Sequence, residues 1–206
     1  MSLEINQNIE RFEQLLRSVK REGIDNLIEF IRKSDFYTAP ASTKNHSCHE
    51  GGLLEHTLNV YDRLLTKMND KLWCNKGDIS NENIIIAALL HDLCKCFYYA
   101  TELKNKKEYH DKGTKSDNNG RYDWVTVSAY TIDDKIPYGH GEKSVMMAEE
   151  YIRLKPIERY AIRWHMGFSE PKEHWKMLGD AIHKYPLVLA LHMSDLEATY
   201  LLEKEE

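Results

Sequence analysis

Apolar residues recur at helical spacing through the start of the chain: Ile9, Phe12, Leu15 and Leu16, then Ile24, Leu27, Ile28 and Ile31. That spacing predicts two amphipathic helices. From Thr38 to Cys48 (TAPASTKNHSC) turn formers, Pro40 among them, predict a connection, and a helix follows from about Gly51 to about Met68. Ser80 stands at an N-cap position with Glu82 in the first turn, and Ile84 to Leu90 is an unbroken apolar run, which predicts a helix buried on nearly all sides. Residues 101–123 are almost wholly polar, with Gly113, Gly120 and Asn118-Asn119, whereas Trp124 to Ile132 (WVTVSAYTI) is rich in β-branched and aromatic residues. An exposed excursion ending in a short strand or hairpin is expected there. Helical patterning returns from about Glu142 to Leu154, and Pro156 fits the first turn of a helix carrying Ile157, Ala161, Trp164, His165 and Phe168, closed by Gly167. A last amphipathic helix, about Pro186 to Glu203, carries Val188, Leu191, Asp195 and Tyr200. The expected fold is all-α with a β-hairpin or loop insertion around 100–140. It forms a single domain over 1–206, with N-terminal helices in 1–44 and a functional core in 45–202.

Composition narrows the class. With 206 residues, 42% hydrophobic and 30% charged, the chain has the make-up of one folded domain. No window approaches the roughly 18 apolar residues of a membrane span, and MSLEINQNIERFEQ lacks the apolar core of a signal peptide, so a cytoplasmic protein without membrane contact is expected. Cys48, Cys74, Cys94 and Cys96 contain a C-x-C pair and no C-x-x-C, and read as reduced thiols. A net charge of −5 argues against a surface that tracks a nucleic-acid backbone, and leaves a small anionic substrate held through metal as the expected partner. A homo-oligomer stays open.

The chemistry gathers where polar groups interrupt apolar helix faces. His91-Asp92 ends the run IIIAALL, and two such groups left unpaired after a buried helix would cost on the order of several kcal/mol. His56 shares a face with Leu53, Val60 and Leu64, and Asp195 lies on the stripe of Leu191 and Val188. Singly, each reads as a satisfied core residue. Two imidazoles and two carboxylates together match the ligands that Mn, Fe, Co, Ni or Zn accepts.

In this order, His56 in GGLLEHT, His91 and Asp92 in ALLHDLCK, and Asp195 in LHMSDLEA, the pattern resembles the HD-domain phosphohydrolases, over roughly Asn45 to Leu202. It is similar in particular to the HD domains of certain bacterial 3′-to-5′ exoribonucleases and their single-domain relatives, where a histidine also stands five residues ahead of two glycines, here His46. The resemblance implies a helical bundle and a tightly bound divalent metal on His56, His91, Asp92 and Asp195. It also implies hydrolysis of a phosphate ester of a nucleotide or related small molecule. Lys95 matches a lysine thought to meet substrate phosphate, and Asp92, Lys95 and His140 are the expected catalytic residues. His46, Lys143 and Arg163 join Lys95 as candidate substrate contacts. Exonuclease-like cleavage of short nucleic acid and metal or ligand sensing without turnover are the alternatives, the latter opposed by the complete set of buried ligands.

Some members carry a second metal, and His140 in YGHGEKS and His165 in AIRWHMG stand where its ligands would be. The two glycines around His140 would let backbone approach a ligand closely. Relatives often show two adjacent histidines before the glycine of the later helix, whereas this chain has His165-Met166, and a thioether is a poor substitute for imidazole at a borderline ion. The second ion, with Asp92 bridging, is therefore expected to bind more weakly. His49 and His192 are expected near the site, His110, His174 and His183 on the surface, and the 101–123 excursion at its mouth as a lid.

Overall fold

The computed structural model describes residues 2–73, 78–109 and 122–203. Helices α1 (Leu3–Ser18) and α2 (Ile24–Lys33) lead into α3 (Gly52–Met68) and α4 (Asn81–Leu90). A hairpin of β1 (Tyr99–Tyr109) and β2 (Tyr122–Ile132) then precedes α5 (His140–Glu149), α6 (Pro156–Trp164), α7 (Trp175–Lys184) and α8 (Leu187–Glu197). The architecture is the expected helical bundle with a β-hairpin. Among the described residues no helix is long and apolar enough to cross a membrane.

One core joins both ends of the chain. Phe12 and Leu16 of α1 and Leu27, Ile28 and Ile31 of α2 belong to the same buried cluster as Ile84–Leu90 of α4 and Leu187 and Leu191 of α8. The opening helices are thus part of the bundle that carries the site. Arg21, in the α1–α2 turn, reinforces this by donating two hydrogen bonds of 2.7 and 2.8 Å to the buried Glu158 of α6, whose Oε1 also accepts from Asn83 of α4 at 2.9 Å.

Helix α4 starts as the sequence indicates. Ser80 Oγ accepts from the Asn83 amide, and Asn83 Oδ1 accepts from the Ser80 amide at 2.9 Å, a reciprocal cap that satisfies two otherwise orphaned donors. Its residues Ile84–Leu90 are all buried. The helix therefore behaves as a rigid post delivering His91 and Asp92 into the interior.

Four elements differ from expectation. The polar stretch is itself half of the hairpin: β1 runs from Tyr99 through Tyr109 in register with β2, Tyr99 against Ile132 and Tyr109 against Tyr122. Cross-strand pairing forms this strand without burial, since most of its side chains are exposed. Gly113, Asn118, Asn119 and Gly120 of the expected excursion lie outside the described residues. Helix α5 stops at Glu149, and Ile152 and Leu154 are buried from an irregular segment instead. Helix α7 is an additional short helix that buries only Leu178 and Ala181, too narrow a stripe to stand out in the sequence. Beyond Glu197 the last helix widens into a π turn, Ala198–Leu202, closed by the Glu203 amide donating to the Ala198 carbonyl at 3.1 Å.

Candidate metal centre

His56 projects from α3, His91 and Asp92 from the end of α4, His140 from the start of α5, His165 from just past α6 and Asp195 from α8. The fold brings all six together: His56, Asp92, His140, His165 and Asp195 line a cavity of about 360 Å³, and the fully buried His91 lies against them. Helix α4 ends at His91, and Asp92 leaves helical geometry with φ −107° and ψ 20° before the short turn Leu93–Lys95.

Asp92 sits at the junction of two groups. Its Oδ2 lies 3.4 Å from His91 Nε2 and 3.6 Å from His56 Nε2, and its Oδ1 lies 2.8 Å from His140 Nε2 and 3.6 Å from His165 Nε2. His56 Nε2 also stands 3.3 Å from both Asp195 Oδ1 and His91 Nε2. Two ligands at ~2.0–2.2 Å from one ion, ~90–110° apart, stand ~2.8–3.6 Å from each other. All of these separations fall in that range.

The tautomers point the same way. His91 Nδ1–H donates to the Ala88 carbonyl at 2.8 Å, His165 Nδ1–H to the Ile162 carbonyl at 2.7 Å, and His56 Nδ1–H to Glu203 Oε2 at 3.0 Å. A carbonyl or carboxylate can only accept, so the neutral ring presents a bare Nε2 to the cluster in every case. Bare nitrogens of His56 and His91 facing each other repel unless a cation or proton lies between them. Without an ion, a proton does so: burial lowers the His56 pKa, but hydrogen bonds to Asp195 and Glu203 overcome this and raise it to about 10. Burial likewise disfavours a charged His140, yet Asp92 and Cys94 lift it to about 9. Asp92 and Asp195, despite burial, are held below the ordinary carboxylate range, Asp92 chiefly by the Lys95 ammonium and Asp195 chiefly by its hydrogen bond with His56. The donor set fits a borderline divalent metal.

The other expected site residues separate into two sets. Lys95 is buried, with Nζ 2.7 Å from Asp92 Oδ2 and donating to the Ala41 carbonyl at 2.7 Å, and it lines the cavity, as do His46 and His192. The His46 ring lies 5.1 Å from that of His56, tilted by 48°, and its buried Nδ1 has no hydrogen-bond partner. Lys143 and Arg163 do not line the cavity. Lys143 pairs with Asp134 at 2.6 Å, and Arg163 pairs with Glu142 and, at 2.8 Å, with Glu170, so local carboxylates hold both cations away from it. His49 is exposed beside Glu55, His174 lies by Glu170, and His110 lies outside the described residues. The glycines around His140 serve packing: a Cβ on Gly141 would stand 2.1 Å from the Arg163 carbonyl, so its absence lets α5 abut α6 and sets the His140 ring 5.3 Å from His165. Gly167, at φ +55°, leaves room for the His192 ring, whose Nδ1–H donates to the His165 carbonyl at 2.7 Å.

Two residues were not anticipated. Glu203 is buried and accepts from His56, from Asn59 at 2.9 Å and from Ser47 at 3.1 Å. Cys94 Sγ lies 3.3 Å from His140 Nδ1 and 3.6 Å from its Nε2. Residues 53–201 match the family model of the HD domain, and the chain belongs to that family. HD domains hold divalent metals, and the His/Asp clusters here could hold one. The chain is also 31% identical over 117 residues to dihydroneopterin 2′,3′-cyclic phosphate phosphodiesterase of Methanocaldococcus jannaschii. That alignment covers 50% of this chain and 47% of the relative, so the chain matches about half the length of its curated relative. No solved structure matches.

Proposed function

We propose that the protein is a metal-dependent phosphohydrolase that cleaves a phosphate ester in a small phosphorylated molecule, with a nucleotide or related cyclic phosphodiester as the preferred class. The observation that carries this reading is Asp92, with one oxygen facing His56 and His91, the other facing His140 and His165, and Lys95 beside it in an open cavity. The relative's name, a phosphodiesterase of a pterin cyclic phosphate, supports a substrate with a compact phosphodiester and a flat ring.

In this reading His56, His91, Asp92 and Asp195 hold a first ion, and Asp92, His140 and His165 a second. Bound there, Mn, Fe, Co, Ni or Zn would polarise a phosphoryl oxygen and make a water nucleophilic at neutral pH. Lys95 stays charged beside Asp92 and draws negative charge on the phosphoryl group toward it. Tyr98, Tyr99 and Ile132 form an apolar wall above the site for the substrate's ring. Should only one ion bind, His140 and His165 remain free to contact substrate or act as acid and base.

An exonuclease-like reading, in keeping with the likeness to exoribonuclease HD domains, draws on the hairpin. Trp124 and Tyr122 are exposed on the face that begins at Tyr99 and Ile132, and Lys107 Nζ lies 4.1 Å from the Tyr122 ring, a surface on which bases could stack. One panel tests both readings: 2′,3′-cyclic nucleotides, dihydroneopterin 2′,3′-cyclic phosphate, nucleoside mono-, di- and triphosphates, cyclic dinucleotides and short RNA, each with Mn, Co, Ni, Zn, Mg or anaerobic Fe. Turnover of a small phosphate that is abolished by chelator is the expected result. Preference for short RNA would favour the second reading, and inactivity toward every compound with every metal would overturn both.

A further inference from the structure

The second ion has, by the sequence pattern, an incomplete ligand set, because methionine occupies position 166. The fold supplies a donor of another kind. Cys94 is buried in the turn after Asp92, with its amide donating to Ser144 Oγ of α5 at 3.1 Å, so its backbone is pinned to the helix that carries His140. Asp92, Cys94 and His140 offer one carboxylate oxygen, one thiol sulfur and one imidazole nitrogen, all within 4.8 Å of one another. A sulfur at ~2.3 Å and a nitrogen at ~2.0–2.1 Å from one ion stand ~3.1–3.6 Å apart at ordinary angles. Cys94 Sγ stands 3.6 Å from His140 Nε2, the nitrogen that faces Asp92, which is inside that interval, and 3.3 Å from Nδ1, so it lies beside the ring and must turn about its Cα–Cβ bond to share an ion with Nε2. From the other side, His165 directs its buried Nε2 at Asp92 Oδ1 across 3.6 Å, with its only other ring nitrogen committed to the Ile162 carbonyl.

We infer that Cys94 is a thiolate ligand of the second ion, completing with Asp92, His140 and His165 a four-donor site of one sulfur, two nitrogens and one oxygen. This rests on the two-ion reading above and changes its chemistry. A thiolate selects Zn, Co or Fe over Mn and Mg, so the two positions would differ in metal preference as well as in affinity. Binding at the second position would also release the Cys94 proton to solvent.

Cobalt titration of the full chain tests this. Wild-type protein should take up two Co ions, the second bringing a near-ultraviolet sulfur-to-cobalt charge-transfer band. In Cys94→Ser that band should vanish and the second ion bind roughly tenfold or more weakly, while the first is unchanged. X-ray absorption of the unmodified, two-zinc protein gives a readout independent of the variant's folding, with a sulfur scatterer expected at about 2.3 Å. Two bound ions with no sulfur band and no sulfur scatterer would overturn the thiolate assignment, leave the hydrolase reading standing and make Cys94 a hydrogen-bond partner of His140. Wild-type protein that binds no cobalt would overturn both.

Discussion

Glu203 offers a clean test of whether the buried cluster is built around a cation. Its carboxylate accepts the His56 Nδ1–H at 3.0 Å through Oε2 and at 3.2 Å through Oε1, with Asn59 on Oε1 and Ser47 on Oε2. Glu203→Gln preserves the size and most of this geometry. The new amide takes the Oε2 side, the Ser47 hydroxyl turns to accept from it, and the remaining oxygen still serves His56 and Asn59. What disappears is the negative charge that makes His56 a more basic ligand. Loss of such an outer partner typically weakens metal binding by ~10–100-fold, equivalent to about 1.4–2.8 kcal/mol. Glu203→Ala differs in kind, because it strands the donors of His56, Asn59 and Ser47, each at a cost of about 1–3 kcal/mol, and should lower thermal stability as well. Competition titration against a chromophoric chelator measures the affinity, and calorimetric melting of the metal-free proteins separates the two variants. A Glu203→Gln protein that melts normally and binds metal as tightly as wild type would refute the role given to this contact.

Other expectations follow from the same contacts. His91→Ala should strip the first ion while leaving a folded domain, whereas Asp92→Ala should lose both ions and also strand the buried Lys95 ammonium, a loss of about 3–5 kcal/mol; elemental analysis and melting curves decide, and full metal content in folded His91→Ala would refute the site. Lys95→Met should lower kcat/KM on phosphorylated substrates by about 100-fold or more without reducing metal content, and equal activity would remove Lys95 from the mechanism. Hydrogen bonds from Arg32 hold the Glu13 carboxyl below its ordinary 4.5 despite burial, so its stabilising contribution is present above pH 4.5 and is lost as pH falls through the lowered folded value. Glu13→Gln should therefore cost about 1 kcal/mol near neutrality and flatten the acid limb of melting curves recorded in chelator; an unchanged acid limb would count against it.

What was legible in the sequence is what helix periodicity must reveal. His56, Asp195 and the His91-Asp92 pair interrupt apolar stripes, and an inward-facing polar side chain is visible wherever the helix is regular. Lys143 and Arg163 could not be resolved that way, because the partner of a basic side chain is chosen by tertiary neighbours: Asp134 arrives from beyond the hairpin, and Glu170 from the far side of Gly167. Glu203 was hidden for a geometric reason. Eight α-helical steps from Asp195 would turn it about 80° off the site-facing stripe, and only the wider π turn at Ala198–Leu202 brings its carboxylate under His56. Cys94 was hidden similarly, since the tight turn after Asp92 redirects the chain within two residues and a C-x-C pair carries no ligand spacing of its own.

The irregular segments fall where the cluster makes its greatest demand. Helices supply donors from one direction each, and α3, α4 and α8 between them surround only the His56 side of Asp92. Reaching its other oxygen requires the chain to leave α4 immediately after His91, so that Asp92 turns to face His140 and His165 while Lys95 and Cys94 fold back against it. The hydrogen bond that Glu203 accepts from His56, in turn, depends on α8 ending in a wider coil rather than continuing straight. Regular helix therefore sets which residues point inward, and its two breaks set how one carboxylate can serve two groups of histidines at once.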